Sequence, residues 1–259
     1  KFEIIIGDDD SNDGTREICL KYANLYPEKI RLIKHHRINN IKILDKPCGI
    51  YQIAYNILIS RGKYLAICSG DDIWTDEFKL QKQLNILKND SGIALSHHRF
   101  NYIKNQNIKK VINPSFPKAS TMFFKNIKHM LPREFLRVIQ EDMFMWFILK
   151  NMGDFYFNSD IRPTLINEPP NSLSRSLDDN LRKNLVLNFN LQLFRAYKGQ
   201  NNSVSHKSTY MFLRQLWEFK NSKVTKKYLY YAINEISIKK LFKVFWWRFD
   251  VNSKVFSNT

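Results

Sequence analysis

Two short apolar runs, each closed by a cluster of aspartates, constrain this chain more than any other feature. Phe2-Glu3-Ile4-Ile5-Ile6-Gly7 leads into Asp8-Asp9-Asp10-Ser11-Asn12-Asp13-Gly14, and Tyr64-Leu65-Ala66-Ile67-Cys68 leads into Ser69-Gly70-Asp71-Asp72. An apolar run of this length that stops at a polar loop reads as a strand buried on both faces. Helical spacing follows each loop. Ile18, Tyr22 and Leu25 form the apolar face after the first, with Ser11 or Asp13 as N-cap and Pro27 as the stop; Leu80, Leu84 and Leu87 follow the second. Between them Ile50, Ile53, Ala54, Ile57 and Leu58 mark another helix, ended at Gly62, and residues 30–34 and 93–96 read as further strands. This alternation predicts a doubly wound, mostly parallel sheet, whose ligands bind at the carboxyl ends of the strands. Both acidic loops sit at such ends.

Strand-like pieces around Val111 and over residues 121–124 precede a helix that starts near Pro132 and presents Leu136, Ile139, Met143 and Phe147. Asp142 lies one position from that stripe. Short strands over 154–157 and 164–166 lead to a break at Pro169-Pro170, after which residues 178–198, 208–219, 224–235 and 237–249 read as helices. The expected division is an α/β domain over 1–176, a basic helical region over 177–252 and a loose tail over 253–259.

An apolar content of 44% and an aromatic content of 14% exclude a disordered chain. The three cysteines, Cys19, Cys48 and Cys68, have no metal-ligand spacing, which predicts a reducing, cytosolic setting. No apolar stretch reaches the roughly 18 residues a transmembrane helix needs, so the expectation is a soluble or peripheral protein. The net charge of +17 suits nucleic acid, anionic lipid or a diphosphate-bearing substrate. No helix-turn-helix, zinc-finger or RNA-binding signature accompanies it, which argues against nucleic acid. Lys239, Lys240 and Lys243 beside Trp246-Trp247-Arg248 fit either a membrane surface or a helical cap packed on the α/β domain.

Adjacent carboxylates at a strand end suit a hard divalent cation, since magnesium and manganese take one or two carboxylates with phosphate oxygens and water. Such a cation neutralises a departing diphosphate. Taken alone, Asp71-Asp72 reads equally as a turn or a helix cap, and so does the loop at Asp8.

The ordered set of motifs is more specific. The segment from Phe2 to Thr15 resembles the nucleotide-binding segment of family 2 glycosyltransferases. Gly62 to Asp76, continued by Lys79-Leu80-Gln81-Lys82-Gln83, resembles their metal-binding segment, and Glu141-Asp142, followed by Gly153-Asp154-Phe155-Tyr156, resembles their catalytic one. The resemblance covers residues 1 to about 176 and implies a GT-A type fold and an inverting enzyme. It implies that Asp8 contacts the nucleobase, with Asp9 and Ser11 shaping that loop, and that Asp71 faces the ribose or the metal while Asp72 ligates Mn²⁺ or Mg²⁺. Asp142 would be the general base and Glu141 a contact to the acceptor. The implied partners are a nucleotide sugar, carried on UDP, and a saccharide or lipid-linked acceptor in bacterial cell-surface polysaccharide synthesis.

Departures from the family pattern set further expectations. The strand and helix that precede the Phe2 segment in relatives are missing here, so the sheet is expected to be N-terminally truncated. Asp10 replaces a glycine, Ser69 an acidic residue and Asn167 a histidine able to join the metal shell. His97 and His98 read as packing or surface histidines. Competing readings are a non-catalytic remnant of such an enzyme, a basic nucleic-acid-binding protein, and, more weakly, a metal-dependent nucleotidyltransferase lacking the usual Gly-rich loop.

Overall fold

The computed structural model describes residues 1–104, 107–111, 116–167, 177–200 and 202–244. They form two compact units, Lys1–Leu131 with Gln140–Arg175 and Pro132–Ile139 with Ser176–Thr259. The expected break at Pro169-Pro170, the Trp246-Trp247-Arg248 cluster and the tail over 253–259 lie outside the described residues.

The first unit opens with β1 (Ile4–Asp9), α1 (Thr15–Leu25) and β2 (Ile30–His35), the two strands parallel with Ile4 opposite Ile30 and Asp9 opposite His35. The rotation of α1 differs from the one its apolar spacing predicts. Ile18, Tyr22 and Leu25 are 59%, 48% and 58% exposed, while the half-buried side carries Arg16, Cys19 and Ala23. An ion pair from Arg16 to the buried Asp8 fixes that rotation. The N-cap is Gly14, at φ 90°, in place of Ser11 or Asp13, and Asp13 Oδ1 accepts from the Thr15 N–H at 3.2 Å. Glycine suits this left-handed cap because it has no Cβ to clash.

A hairpin of β3 (Ile41–Ile43) and β4 (Lys46–Cys48) turns on Leu44 and Asp45, both at positive φ, as a two-residue loop matched to strand twist requires. Helix α2 (Ile50–Ile59) buries Ile50, Ala54 and Ile57. After β5 (Tyr64–Ala66) comes α3 (Lys79–Asn89), whose buried face is Lys79, Gln83 and Leu87; of the three leucines expected there, only Leu87 is fully buried. The remaining elements are β6 (Ile93–His97), β7 (Phe100–Lys104), β8 (Asn107–Lys110), β9 (Phe123–Lys125), α4 (Glu141–Lys150), β10 (Asp154–Phe157) and β11 (Thr164–Asn167).

The central sheet has the order β10-β6-β9-β5. β10 and β6 are parallel, and β9 runs antiparallel to both β6 and β5. A second sheet, β11-β7-β8, pairs β11 parallel to β7 and closes a β7–β8 hairpin. The unit is thus mixed α/β with parallel and mixed sheets, and Ala94, Leu95, Met122, Phe124, Phe144 and Met145 are wholly buried in it. His98, also buried, sits 3.4 Å from the Thr164 hydroxyl, and burial drives its imidazole down to about 3.

The helix expected from Pro132 is two pieces. A 3-10 turn at Arg133–Arg137 belongs to the second unit, and α4 begins only at Glu141. Phe135 and Val138 are both buried, and Val138 is extended at φ −122°, ψ 154°, which interrupts the helical run. Glu141 and Asp142 therefore open α4 as its acidic first turn.

In the second unit α5 (Asp179–Tyr197), α6 (Ser203–Glu218) and α7 (Thr225–Glu235) enclose a cluster of Leu187, Leu191, Phe194, Phe212, Leu216, Tyr228, Ala232 and Ile236. Asp178 caps α5 by accepting from the Leu181 N–H at 2.7 Å, and Asn202 caps α6 through the Ser205 N–H at 2.9 Å. Among the described residues no helix is long and apolar enough to cross a membrane.

Gly153 marks the tightest backbone approach in the first unit. A Cβ there would lie 2.1 Å from the Gly92 carbonyl oxygen, the same oxygen that accepts from the Asp154 N–H at 2.8 Å. Gly153→Ala is expected to lower unfolding stability by about 2 kcal/mol, read as a fall in the urea midpoint.

Candidate active site

The first acidic loop is shaped by internal pairing. Arg16 Nε donates to Asp8 Oδ2 at 2.6 Å, the Ser11 N–H donates to Oδ1 at 3.3 Å, and Arg16 Nη2 lies 3.1 Å from Asp10 Oδ1. Burial alone would raise the Asp8 carboxyl, but the hydrogen bonds from Ser11 and Arg16 and the Arg16 charge outweigh it and hold the group below the usual carboxylate range. Asp10 takes φ 59°, so it supplies the left-handed conformation for which a glycine is the usual choice, helped by the tolerance of Asp for that region. Asp9 Oδ2 accepts from Asn40 Nδ2 at 2.7 Å and the Asp9 carbonyl from Arg37 Nε at 3.3 Å, while Asp9 Oδ1 is buried without a partner among the described residues.

The second acidic loop follows β5. Its turn closes with the Asp72 N–H on the Ser69 carbonyl at 3.1 Å, and Gly70 is not at positive φ. Asp71 is exposed. Asp72 is half-buried and held from two distant segments: the Ser120 hydroxyl donates to Oδ2, and the Asn167 backbone N–H donates to Oδ1 at 3.2 Å. The position expected to weaken a metal shell thus supports the loop through its main chain. Burial raises the Asp72 carboxyl above the usual range and the Asp71 charge adds to this, although the Ser120, Asn167 and Ser69 hydrogen bonds pull the other way.

Neighbouring residues lock the loop in place. Ile73 and Leu165 exchange backbone hydrogen bonds of 2.9 Å in both directions, and Trp74 Nε1 donates to the Ser120 carbonyl at 2.8 Å. Lys79 Nζ stands 4.3 Å over the Trp74 ring and donates to Gln83 Oε1 at 2.8 Å, while Gln83 Nε2 donates to the Ser96 and Thr121 carbonyls. Asp76 has a different fate from Asp72. It accepts from Lys82 Nζ at 2.9 Å and from the Arg162 and Phe78 N–H groups, which overcome its burial and bring the carboxyl to about 2.

At the start of α4, Asp142 Oδ1 accepts from the Met143 N–H at 2.7 Å. Burial pushes the adjacent Glu141 carboxyl up to about 7, with the Asp142 charge adding and the Lys118 charge opposing. The Lys118 charge is felt at Glu141, and the Ser120 hydroxyl sits on Asp72. Arg16, Ser120 and Lys118 escape sequence reasoning because no motif marks them; Ser120 and Lys118 act on partners distant in sequence and Arg16 on one eight residues away.

The loop suits a divalent ion by its donor set. Asp71 offers an exposed carboxylate beside Asp72, whose ionisation is hindered by burial and by Asp71, a cost a cation relieves. No group of three or more His, Cys, Asp and Glu among the described residues forms a complete cage. Magnesium and manganese do not require one when substrate phosphate and water complete the shell.

Glu141 links this site to stability. Its folded-state value near 7 lies above the ordinary 4.5, so its contribution is fully present below about pH 4.5 and is lost as pH rises through about 7. Glu141→Gln removes that dependence. The variant should gain stability relative to wild type between about pH 5 and pH 8, measured as the difference in urea midpoints; a difference constant with pH would mean that Glu141 ionises normally.

Comparison with known proteins gives the family of the matched stretch. The family model Glycosyl transferase family 2 matches residues 1–145. Uncharacterized proteins of Mycobacterium bovis and Mycobacterium tuberculosis are 34% identical over 136 residues, a stretch that takes in 52% of this chain and 36% of each relative. The matched stretch is thus only about a third of their length. The family match covers more than half of the chain, including both acidic loops and Glu141-Asp142, and the chain belongs to glycosyl transferase family 2.

Proposed function

We propose that this chain belongs to an inverting glycosyltransferase that moves a sugar from a UDP-linked donor to a hydroxyl of a saccharide or lipid-linked acceptor in bacterial cell-surface polysaccharide synthesis. In this reading residues 1–176 are the GT-A domain and 177–252 a basic helical region, at work in the cytoplasm or against the inner face of the membrane. The observation that carries the proposal is the acidic loop after β5, where Asp72 is fixed by Ser120 and Asn167 while Asp71 stays exposed.

Asp71 and Asp72 would hold Mn²⁺ or Mg²⁺, which when bound supplies positive charge against the diphosphate of the donor. Ser120 keeps the Asp72 carboxylate oriented, and burial excludes water from one side of it. Asp142 takes the proton from the acceptor hydroxyl as that oxygen attacks the anomeric carbon and the sugar–diphosphate bond breaks, giving inversion in one displacement. Glu141 touches the acceptor. Asp9 and Ser11 shape the nucleotide loop, and Asp8 meets the nucleobase only if Arg16 gives up one of its contacts.

That last condition favours a second reading, a chain that keeps the fold without binding donor, because the Asp8 carboxylate is wholly buried against Arg16. Calorimetry with UDP and Mn²⁺ separates the two: an active enzyme binds both together, a remnant binds neither.

A screen of nucleotide sugars with Mn²⁺ or Mg²⁺, read as donor hydrolysis and transfer, tests the main proposal. Asp72→Ala is expected to abolish metal-dependent binding. Asp142→Asn should leave binding intact and lower turnover on the order of a thousandfold; unchanged turnover would remove Asp142 from its assigned role. Ser120→Ala should weaken Mn²⁺ binding about tenfold, the usual scale for losing a partner that orients a metal ligand.

A further inference from the structure

Among the described residues, the second unit presents an apolar surface that its core does not use. α7 buries Thr225, Tyr228 and Ala232 on one side. Its other side carries Leu229, Tyr230 and Ile233, which are 49%, 65% and 71% exposed. A surface helix of a globular unit ordinarily turns polar residues outward, so three large apolar side chains there are in excess of what the fold requires. The arrangement repeats further on. The chain is helical again over 238–244, with Val244 buried and Ile238 and Phe242 exposed by 73% and 63%. These two lie four residues apart and share a side, and Lys239 and Lys243 each follow them by one position.

Charge identifies what covers this surface. From Phe219 to Val244 seven lysines accompany one carboxylate, Glu235, and Glu235 is already engaged by Arg195 and Lys198. A second copy of the chain would bring its own lysines against these, a pairing that like charge disfavours. Nucleic acid would match the lysines and could stack on Tyr230 and Phe242, but it would leave the exposed aliphatic side chains Leu229, Ile233 and Ile238 without a partner. An anionic bilayer takes both parts, ammonium groups over the headgroup phosphates and apolar side chains beneath them. Lys240 is used differently, since its Nζ donates inward to the Ser205 hydroxyl at 2.5 Å.

We infer that the outward side of α7 and of residues 238–244, centred on Tyr230, Ile233, Ile238 and Phe242 and rimmed by Lys226, Lys227, Lys239 and Lys243, rests on an anionic lipid surface. The inference gives the membrane-side location a defined contact and stands apart from the acidic site, which belongs to the other unit. Loss of lipid binding would leave the transfer chemistry to be judged separately, and an inactive chain would still bind lipid.

The test is co-sedimentation of the full chain with vesicles of phosphatidylglycerol and phosphatidylcholine in equal parts, against phosphatidylcholine alone, with a DNA duplex as a separate arm. Binding to the anionic vesicles alone, weakening as salt is raised, is expected. Ile233→Ser with Ile238→Ser should reduce partition at least about tenfold, and Lys239→Gln with Lys243→Gln about twentyfold. All four side chains are exposed, and circular dichroism verifies that the fold is kept. Absence of vesicle binding overturns the inference. So does duplex binding that depends on the lysines and ignores the isoleucine changes, or self-association that the isoleucine changes abolish without any lipid binding.

Discussion

Asp72 is gripped by parts of the chain that lie far from it in sequence, and the geometry of the acidic loop depends on that grip. The Ser120 hydroxyl takes one carboxylate oxygen and the Asn167 main chain takes the other. Two adjacent carboxylates repel, and tethering one of them inward leaves Asp71 directed to solvent. The tether is reinforced behind the loop. Trp74 bonds to the Ser120 carbonyl, Gln83 to the Thr121 carbonyl, and Ile73 to Leu165, so the turn before β9 and the strand β11 are both needed to keep a two-residue acidic step in one orientation.

Much of this was legible in the residues, and the misses have physical causes. The strand-to-loop transitions at Asp8 and Asp71 follow from apolar runs ending in polar ones, and β1, β2, β5 and β6 lie where those runs are. The three helices of the second unit match their periodicity to within a few residues at their ends. Periodicity failed on α1 because a specific ion pair, Arg16 with Asp8, outweighed the apolar stripe in setting rotation. On α3 it failed because a polar seam of Lys79 and Gln83 serves the acidic loop from inside. The piece before α4 misled for a third reason, since Phe135 and Val138 are buried by a tight turn that a helical template cannot distinguish from a continuous helix.

Candidate site residues were legible only where a motif carried them. Asp71, Asp72, Glu141 and Asp142 belong to recognisable segments; Ser120 and Lys118 act on them across the fold and carry no local signature. The same limit applies to exposure. The exposed Leu229, Tyr230 and Ile233 of α7 are as apolar as its buried Thr225, Tyr228 and Ala232, and only the packed structure tells which set the core has claimed. Overall charge was legible at once, but which aliphatic side chains stay exposed beside it was not.

Trp74 has a consequence of its own. Its indole nitrogen is tied to the segment that holds Asp72, and its ring lies beneath the Lys79 ammonium, whose burial brings it down to about 7. A charge that comes and goes over an indole ring shifts its emission, so the loop contains its own optical reporter. Among the described tryptophans this one, tied to the Ser120 carbonyl, is placed to register movement of the turn when its carboxylates are engaged.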